Sequence, residues 1–202
     1  MGREAWLVVE EFEAQLCRYT GAPYCVAVDS CSNALQLCFQ RLQRDLSWEP
    51  EGIYLPNFTY VGVAQAAKRA GFMVEFTPQS WIGEYQILGT PIVDAARWLR
   101  RGMYKPGTWT CLSFQITKHL PIGRGGAILC DNAEDAEWFR RARYDGRDGS
   151  KPIMEQSSFQ WGMHCYLDPQ SAARGLWLMM SLADENAPLP GVYPDLSKVN
   201  FT

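Results

Sequence analysis

The sequence predicts an α/β fold: a three-layer sandwich with a mostly parallel central sheet and helices on both faces. Three observations predict it. Short β-prone runs alternate with stretches of helical spacing along the chain. Polar residues capable of chemistry, Ser30–Asn33, Asn57–Tyr60, Asp94 and Lys118, fall at or just past the ends of four apolar runs, where open α/β sheets collect ligands. Finally, 202 residues, 47% hydrophobic and 20% charged, suit one globular domain with a real core.

The elements follow in order. Trp6, Val9, Phe12, Leu16 and Tyr19 recur at helical spacing over residues 3–19. Residues 25–29 are β-prone, Ser30-Cys31-Ser32-Asn33 make a polar turn, and residues 34–45 are helical. The unit then repeats, with a strand at 53–55, a turn at 56–59 and a helix at 60–70 stopped by Gly71. Strands are expected at 73–76 and at 91–93, the latter ending in Asp94. Two more, at 108–114 and 126–130, flank the Lys118 turn. A helix over 133–143 has Asp131 or Asn132 as its N-cap. Residues 145–160 read as a loop and 169–182 as a last helix, and the proline-containing segment from Ala187 reads as extended or docked. We divide the chain into a cofactor-binding part, 1–150, and a remnant C-terminal segment, 151–202.

Bulk properties narrow the function. A net charge of −3 argues against a broad nucleic-acid footprint. Arg140, Arg141, Arg143 and Arg147 form a local basic cluster interrupted by Asp145 and Asp148, read as a solvated or phosphate-facing surface. Seven cysteines without a CxxC pair, and no leader pattern, point to free thiols and a cytoplasmic setting. No apolar run is long enough to cross a membrane. Gly2 does not open a myristoylation motif, because Trp6 stands where Ser or Thr is needed. With only His119 and His164 present, a histidine-built zinc site is not expected.

Lys118 lies before the Gly123–Gly126 turn and five residues after Ser113. Such a lysine is often a surface residue. As a nucleophile it needs a lowered pKa or an imine. Asp94 would either cap the next helix or keep a pyridine nitrogen protonated. The Ser30–Asn33 turn would be an ordinary N-cap, a phosphate seat, or both. Tyr60 would be a core aromatic or would stack on a planar ring. An amine, a hydroxyl and a carboxylate placed this way suit pyridoxal phosphate.

Taken together, these segments resemble the DegT/DnrJ/EryC1/StrS sugar aminotransferases. Glu10-Glu11-Phe12-Glu13 with Tyr19-Thr20-Gly21 resembles that family's N-terminal helix signature. Val26 to Leu35 is similar to its phosphate loop, and Pro56-Asn57-Phe58-Thr59-Tyr60 to its ring-stacking segment. Ile92 to Arg97 is similar to its acidic Asp-Ala-Ala motif, and Ser113 to Gly126 to its lysine motif. Gly162-Met163-His164 and Ala172-Ala173 match a further segment. The resemblance implies the large domain of fold type I pyridoxal-phosphate transferases in reduced form, with the small C-terminal domain largely missing and a strand–helix unit lost between Phe76 and Pro91. It implies pyridoxal 5′-phosphate as cofactor. Lys118 would be its Schiff-base partner and Asp94 would meet the ring nitrogen. Tyr60 would stack on the ring, Cys31, Ser32 and Ser113 would hold the phosphate, and Arg97 would lie by the ring hydroxyl. His164 would reach the neighbouring subunit's phosphate in a homodimer with shared active sites. Cys31, Arg97, Arg124 and His164 depart from the family's usual residues.

The activity so implied is transfer of an amino group from an amino acid donor to a keto sugar, nucleotide-linked, or a similar carbonyl. The alternatives are a pyridoxal-phosphate enzyme of another type, such as elimination or decarboxylation, and a non-catalytic remnant serving as a binding or assembly subunit.

Overall fold

The computed structural model describes residues 3–45 and 52–201. Gly2 and Thr202, which entered the sequence reading, lie outside them. The elements are α1 (Arg3–Thr20), β1 (Tyr24–Val28), α2 (Cys31–Gln43), β2 (Ile53–Pro56), α3 (Val61–Arg69), β3 (Val74–Thr77), β4 (Tyr85–Gln86), β5 (Ile92–Asp94), β6 (Trp109–Ser113), β7 (Gly126–Cys130), α4 (Ala133–Ala142) and α5 (Pro169–Met179). Short 3-10 turns add Ile153–Glu155 and Leu196–Lys198.

The α/β class is as expected, with a mixed sheet. Five strands run in the order β1-β7-β6-β5-β4, and β2 and β3 pair in parallel beside them. Within the five, only β5–β6 is a parallel ladder. The physical reason is β7. It returns directly from β6 through the Lys118 turn, so it runs antiparallel to both β6 and β1. β1, β5 and β6 therefore still share one direction. An antiparallel bridge from Tyr54 to Leu88, just past β4, ties the two-stranded sheet to the larger one and gives β2 the direction of β5.

Strand alternation builds two cores. Val26 and Val28 of β1, Ile128 and Cys130 of β7 and Cys111 of β6 face α2, α3 and α4. Cys25, Ala27, Ala127, Leu129 and Leu112 face α1 and α5. On α1 the predicted stripe of Val9, Phe12, Leu16 and Tyr19 is buried. α5 approaches α1 at Gly175, where a methyl group would lie 2.6 Å from the Phe12 ring. The 151–202 segment thus completes the second core.

Helix α2 starts at Cys31, three residues earlier than expected. Ser30 is its N-cap, its Oγ accepting from the Asn33 N–H at 3.2 Å. Asn132, not Asp131, caps α4. Between Phe76 and Pro91 there is no helix, only the two-residue β4. The arginine cluster is not one solvated face. Arg143 ion-pairs with the buried Glu13 and donates to the Ala27 carbonyl at 2.6 Å, while Arg141 pairs with Glu137 at 2.8 Å. All seven cysteines are unpaired, and no described helix is long and apolar enough to cross a membrane.

Candidate active site

Strand direction decides where the site forms. Val28 and Ser113 both register with Gly126, and Asp94 registers with Cys111, so the carboxyl ends of β1, β5 and β6 meet the start of β7. The Ser30 turn, Asp94, Ser113 and the Lys118 turn all leave from that edge. They surround a cleft of about 380 Å³ lined by Cys31, Ser32, Tyr60, Asp94, Arg97, Ser113 and Lys118, seven of the eight predicted site residues.

His164 lies elsewhere. It lines a separate depression of about 270 Å³ with Asp29, Tyr166, Asp168 and Ser171, and its Nδ1 is 2.6 Å from Asp145 Oδ2. Arg124 borders both cavities and ion-pairs with Asp29 at 2.6 Å.

Asp94 sits at the floor. Among the described residues it has no ion pair, and its side chain accepts from the Ala96 N–H at 3.0 Å. Burial raises its pKa, an effect opposed by that N–H, by Lys118, by the Tyr85 hydroxyl and by Arg97. Tyr85 is also buried, and its hydroxyl lies 2.7 Å from Thr59 Oγ1. Lys118 is half-buried. Burial and then Arg97 lower its pKa, against the pull of Cys31 and Asp94. Its amine makes no hydrogen bond or ion pair among the described residues. Burial pushes the Cys31 thiol well above its ordinary range, so it stays neutral at physiological pH.

Two glycines allow these groups to converge. A methyl group on Gly126 would lie 2.5 Å from the Cys31 nitrogen and from the Ser30 carbonyl carbon, so β7 touches the start of α2 backbone to backbone. One on Gly62 would lie 2.6 Å from the Tyr60 ring and 2.9 Å from Ser32 Oγ, so ring and hydroxyl meet over this residue. Sequence reading missed Gly62, Tyr85, Trp81 and Tyr193. The last two also line the cleft, and Trp81 anchors its indole N–H on the Phe58 carbonyl at 2.9 Å.

The donor set fits pyridoxal phosphate. The first turn of an α-helix leaves its N–H groups without intrahelical partners, and here those of Cys31 and Ser32 open beside two hydroxyls, a seat for a phosphate. A buried, unpaired carboxylate calls for a cationic N–H partner. An unpaired amine with a lowered pKa suits an aldehyde.

Comparisons with known proteins agree. The sequence profile of the DegT/DnrJ/EryC1/StrS aminotransferase family matches residues 7–82 and 95–188. A comparison with curated protein sequences gives no match. Among solved structures, the chain is similar to PseC of Helicobacter pylori, an aminotransferase involved in the biosynthesis of pseudoaminic acid. The TM-score is 0.72 at 16% identity, covering 87% of this chain and 58% of that one. It is similar to a DegT DnrJ EryC1 StrS aminotransferase from Brucella abortus, with TM-score 0.71, 20% identity and coverage of 88% and 59%. It is also similar to NtdA of Bacillus subtilis, solved with bound PMP, with TM-score 0.67, 20% identity and coverage of 87% and 48%. The chain thus spans about half to three-fifths of the length of these relatives, and at such identities the likeness speaks for the fold alone. Pyridoxal phosphate is the family's cofactor. By its fold and its matched residues, this chain belongs to the DegT/DnrJ/EryC1/StrS aminotransferase family.

Proposed function

We propose that this chain binds pyridoxal phosphate in the cleft and transfers an amino group from an amino acid donor to a keto sugar, nucleotide-linked, or a related carbonyl. The observation that carries the reading is the convergence of Lys118, Asp94 and the Ser30–Ser32 turn on one edge of the sheet. The cofactor-binding work falls to residues 1–150, and 151–202 supplies α5 and the segment over the cleft. A homodimer and a cytoplasmic setting belong to the same proposal, with His164 serving the phosphate of the neighbouring subunit.

When bound, the cofactor supplies an electron sink for the pair left on the substrate carbon as its proton departs. Ser32 and Ser113, with the N–H groups of Cys31 and Ser32, would hold the phosphate. Tyr60 would cover one face of the ring, and Arg97 would lie by its hydroxyl. Asp94, buried and unpaired, gains most by meeting a protonated ring nitrogen, and the Ala96 N–H fixes the direction in which its carboxylate points. Burial lowers the Lys118 pKa, which favours the neutral amine that can accept a proton from the substrate carbon at Nζ and return it to the cofactor side.

Protein mixed with pyridoxal phosphate is expected to gain a visible absorbance band that Lys118→Ala abolishes. Adding glutamate should then remove the band with release of 2-oxoglutarate. A band that no amino donor alters would favour elimination or decarboxylation. Protein that takes up no cofactor would indicate a binding or assembly subunit.

A further inference from the structure

The segment beyond residue 188 lies outside the family match, yet it reaches into the cleft. It is pinned on both sides. At one end His119 Nδ1 accepts from the Leu99 N–H, which leaves Nε2 to donate to the Ala187 carbonyl at 2.9 Å. Leu189 and Arg97 exchange hydrogen bonds, N–H to carbonyl at 2.9 Å and Nε to carbonyl at 3.2 Å. At the other end Leu196 is buried and its N–H donates to the Asn57 carbonyl at 2.9 Å. Phe201 then stacks on Phe76. Between these anchors the chain arches with Val192 in solvent and Tyr193 turned inward.

We infer that Leu189–Leu196 forms a roof over the cleft and that Tyr193 is a specificity-determining residue, setting the size of the molecule that reaches the Lys118 amine. The inference rests on the reading of Lys118 as the reacting group. The Tyr193 ring lies 6.0 Å from Trp81 at an interplanar angle of 27° and 6.5 Å from Tyr60. Its hydroxyl accepts from Arg97 Nη1 at 3.2 Å. Three aromatic rings and a guanidinium thus close one side of the space in front of Lys118. With the roof in place the cleft holds about 380 Å³. Ligand cavities run from about 300 to 1,000 Å³, so this one admits the cofactor with a compact partner of amino acid size. A nucleotide-linked sugar enters only when Tyr193 swings out.

The test needs neither turnover nor bound cofactor. Cofactor-free protein is treated with a small acylating reagent, the N-hydroxysuccinimide ester of acetic acid, and with a bulky one, that of biotin. Peptide mass spectrometry reads the labelling of Lys118 against the exposed Lys151. In the wild type Lys118 takes acetyl but little biotin. Tyr193→Ala should raise the biotin-to-acetyl ratio at Lys118 about tenfold, the change expected when one hydrogen bond and one aromatic contact are lost. Tyr193→Leu should give an intermediate ratio, which keeps the test open if the alanine variant does not fold. Tyr193→Phe, which keeps the ring but loses the hydrogen bond from Arg97, should raise the ratio by less than the alanine variant does. An unchanged ratio in the folded alanine or leucine variant overturns the inference. Pre-incubation with pyridoxal phosphate should protect Lys118 from both reagents. Absence of that protection overturns the reading of Lys118, independently of the size result.

Discussion

Replacing Gly126 with alanine strikes the contact on which the phosphate seat is built. The new methyl group would lie 2.5 Å from two backbone atoms of Ser30 and Cys31, where ordinary contact begins near 3.4 Å. No flexible side chain is there to yield, so β7 or the first turn of α2 must move by most of an ångström. Overpacking of this kind costs about 1–3 kcal/mol. For a domain of this length Tm falls by about 2–4 °C per kcal/mol. The same movement turns the α2 N–H groups from the phosphate. Losing one charge-assisted hydrogen bond, worth about 1.5–3 kcal/mol, weakens cofactor affinity by about 10- to 150-fold. Thermal unfolding of the cofactor-free protein followed by circular dichroism reads the first effect. Spectrophotometric titration with pyridoxal phosphate reads the second. Gly149→Ala is the control, since nothing lies within 4 Å of its added methyl group. If Gly126→Ala melts and binds like that control, the backbone contact does not shape the seat.

Three further outcomes follow from the same geometry. Burial raises the Asp94 pKa, so the folded state holds that proton more tightly than the unfolded chain, and stability falls as pH rises through the raised value. Asp94→Asn should therefore stabilise the cofactor-free protein at pH 7 by on the order of 1 kcal/mol, read by urea unfolding, while weakening cofactor binding. Glu84 behaves oppositely. Its burial is outweighed by hydrogen bonds from Arg100 at 3.2 Å and Lys105 at 2.8 Å, which hold its pKa below the ordinary value. Its contribution is present above the unfolded pKa and lost as pH falls through the folded one. Glu84→Gln should thus cost about 1–2 kcal/mol at pH 7, and the gap to wild type should close in acid unfolding curves. Leu196→Ala should release the roof at a local cost of about 2–4 kcal/mol, seen as faster limited proteolysis near residues 190–195 with little change in the main melting transition.

The parts of the site legible in the sequence are those whose chemistry is local. Asp94, Ser113 and Lys118 each close or follow an apolar run, but the direction that β5 and β6 share was not legible from alternation, since β3 to β7 follow one another with no helix between them. The helix start at Ser30 was legible as a cap, although the first turn at Cys31 was not, because Cys-Ser-Asn favours no single state. β4 was invisible for want of length, since two residues carry no periodicity. Yet its Tyr85 registers with Asp94, and its hydroxyl helps to hold down the carboxyl's pKa. Tyr193 was invisible for another reason. It lies in a proline-containing run that predicts only extended chain, and its partner Arg97 stands 96 residues earlier. The antiparallel direction of β7 was not legible, because its apolar run reads the same in either direction.

That inserted strand also sets an order of assembly. β6 and β7 fold back on one another across the short Lys118 turn, with the Ser30 turn following β1 at their side. The roof closes only when Leu189 finds Arg97, 92 residues away. Contacts distant in sequence carry the greater loop-closure entropy and form late. During folding, the β6–β7 hairpin therefore forms early, whereas the β1–β7 ladder that brings up the Ser30 turn closes a loop as long as the roof's and forms late with it. In refolding followed by pulsed hydrogen exchange, the amides of β6 and β7 should gain protection before those of Leu189 and Leu196. Simultaneous protection would mean that the hairpin and the ceiling assemble as one unit.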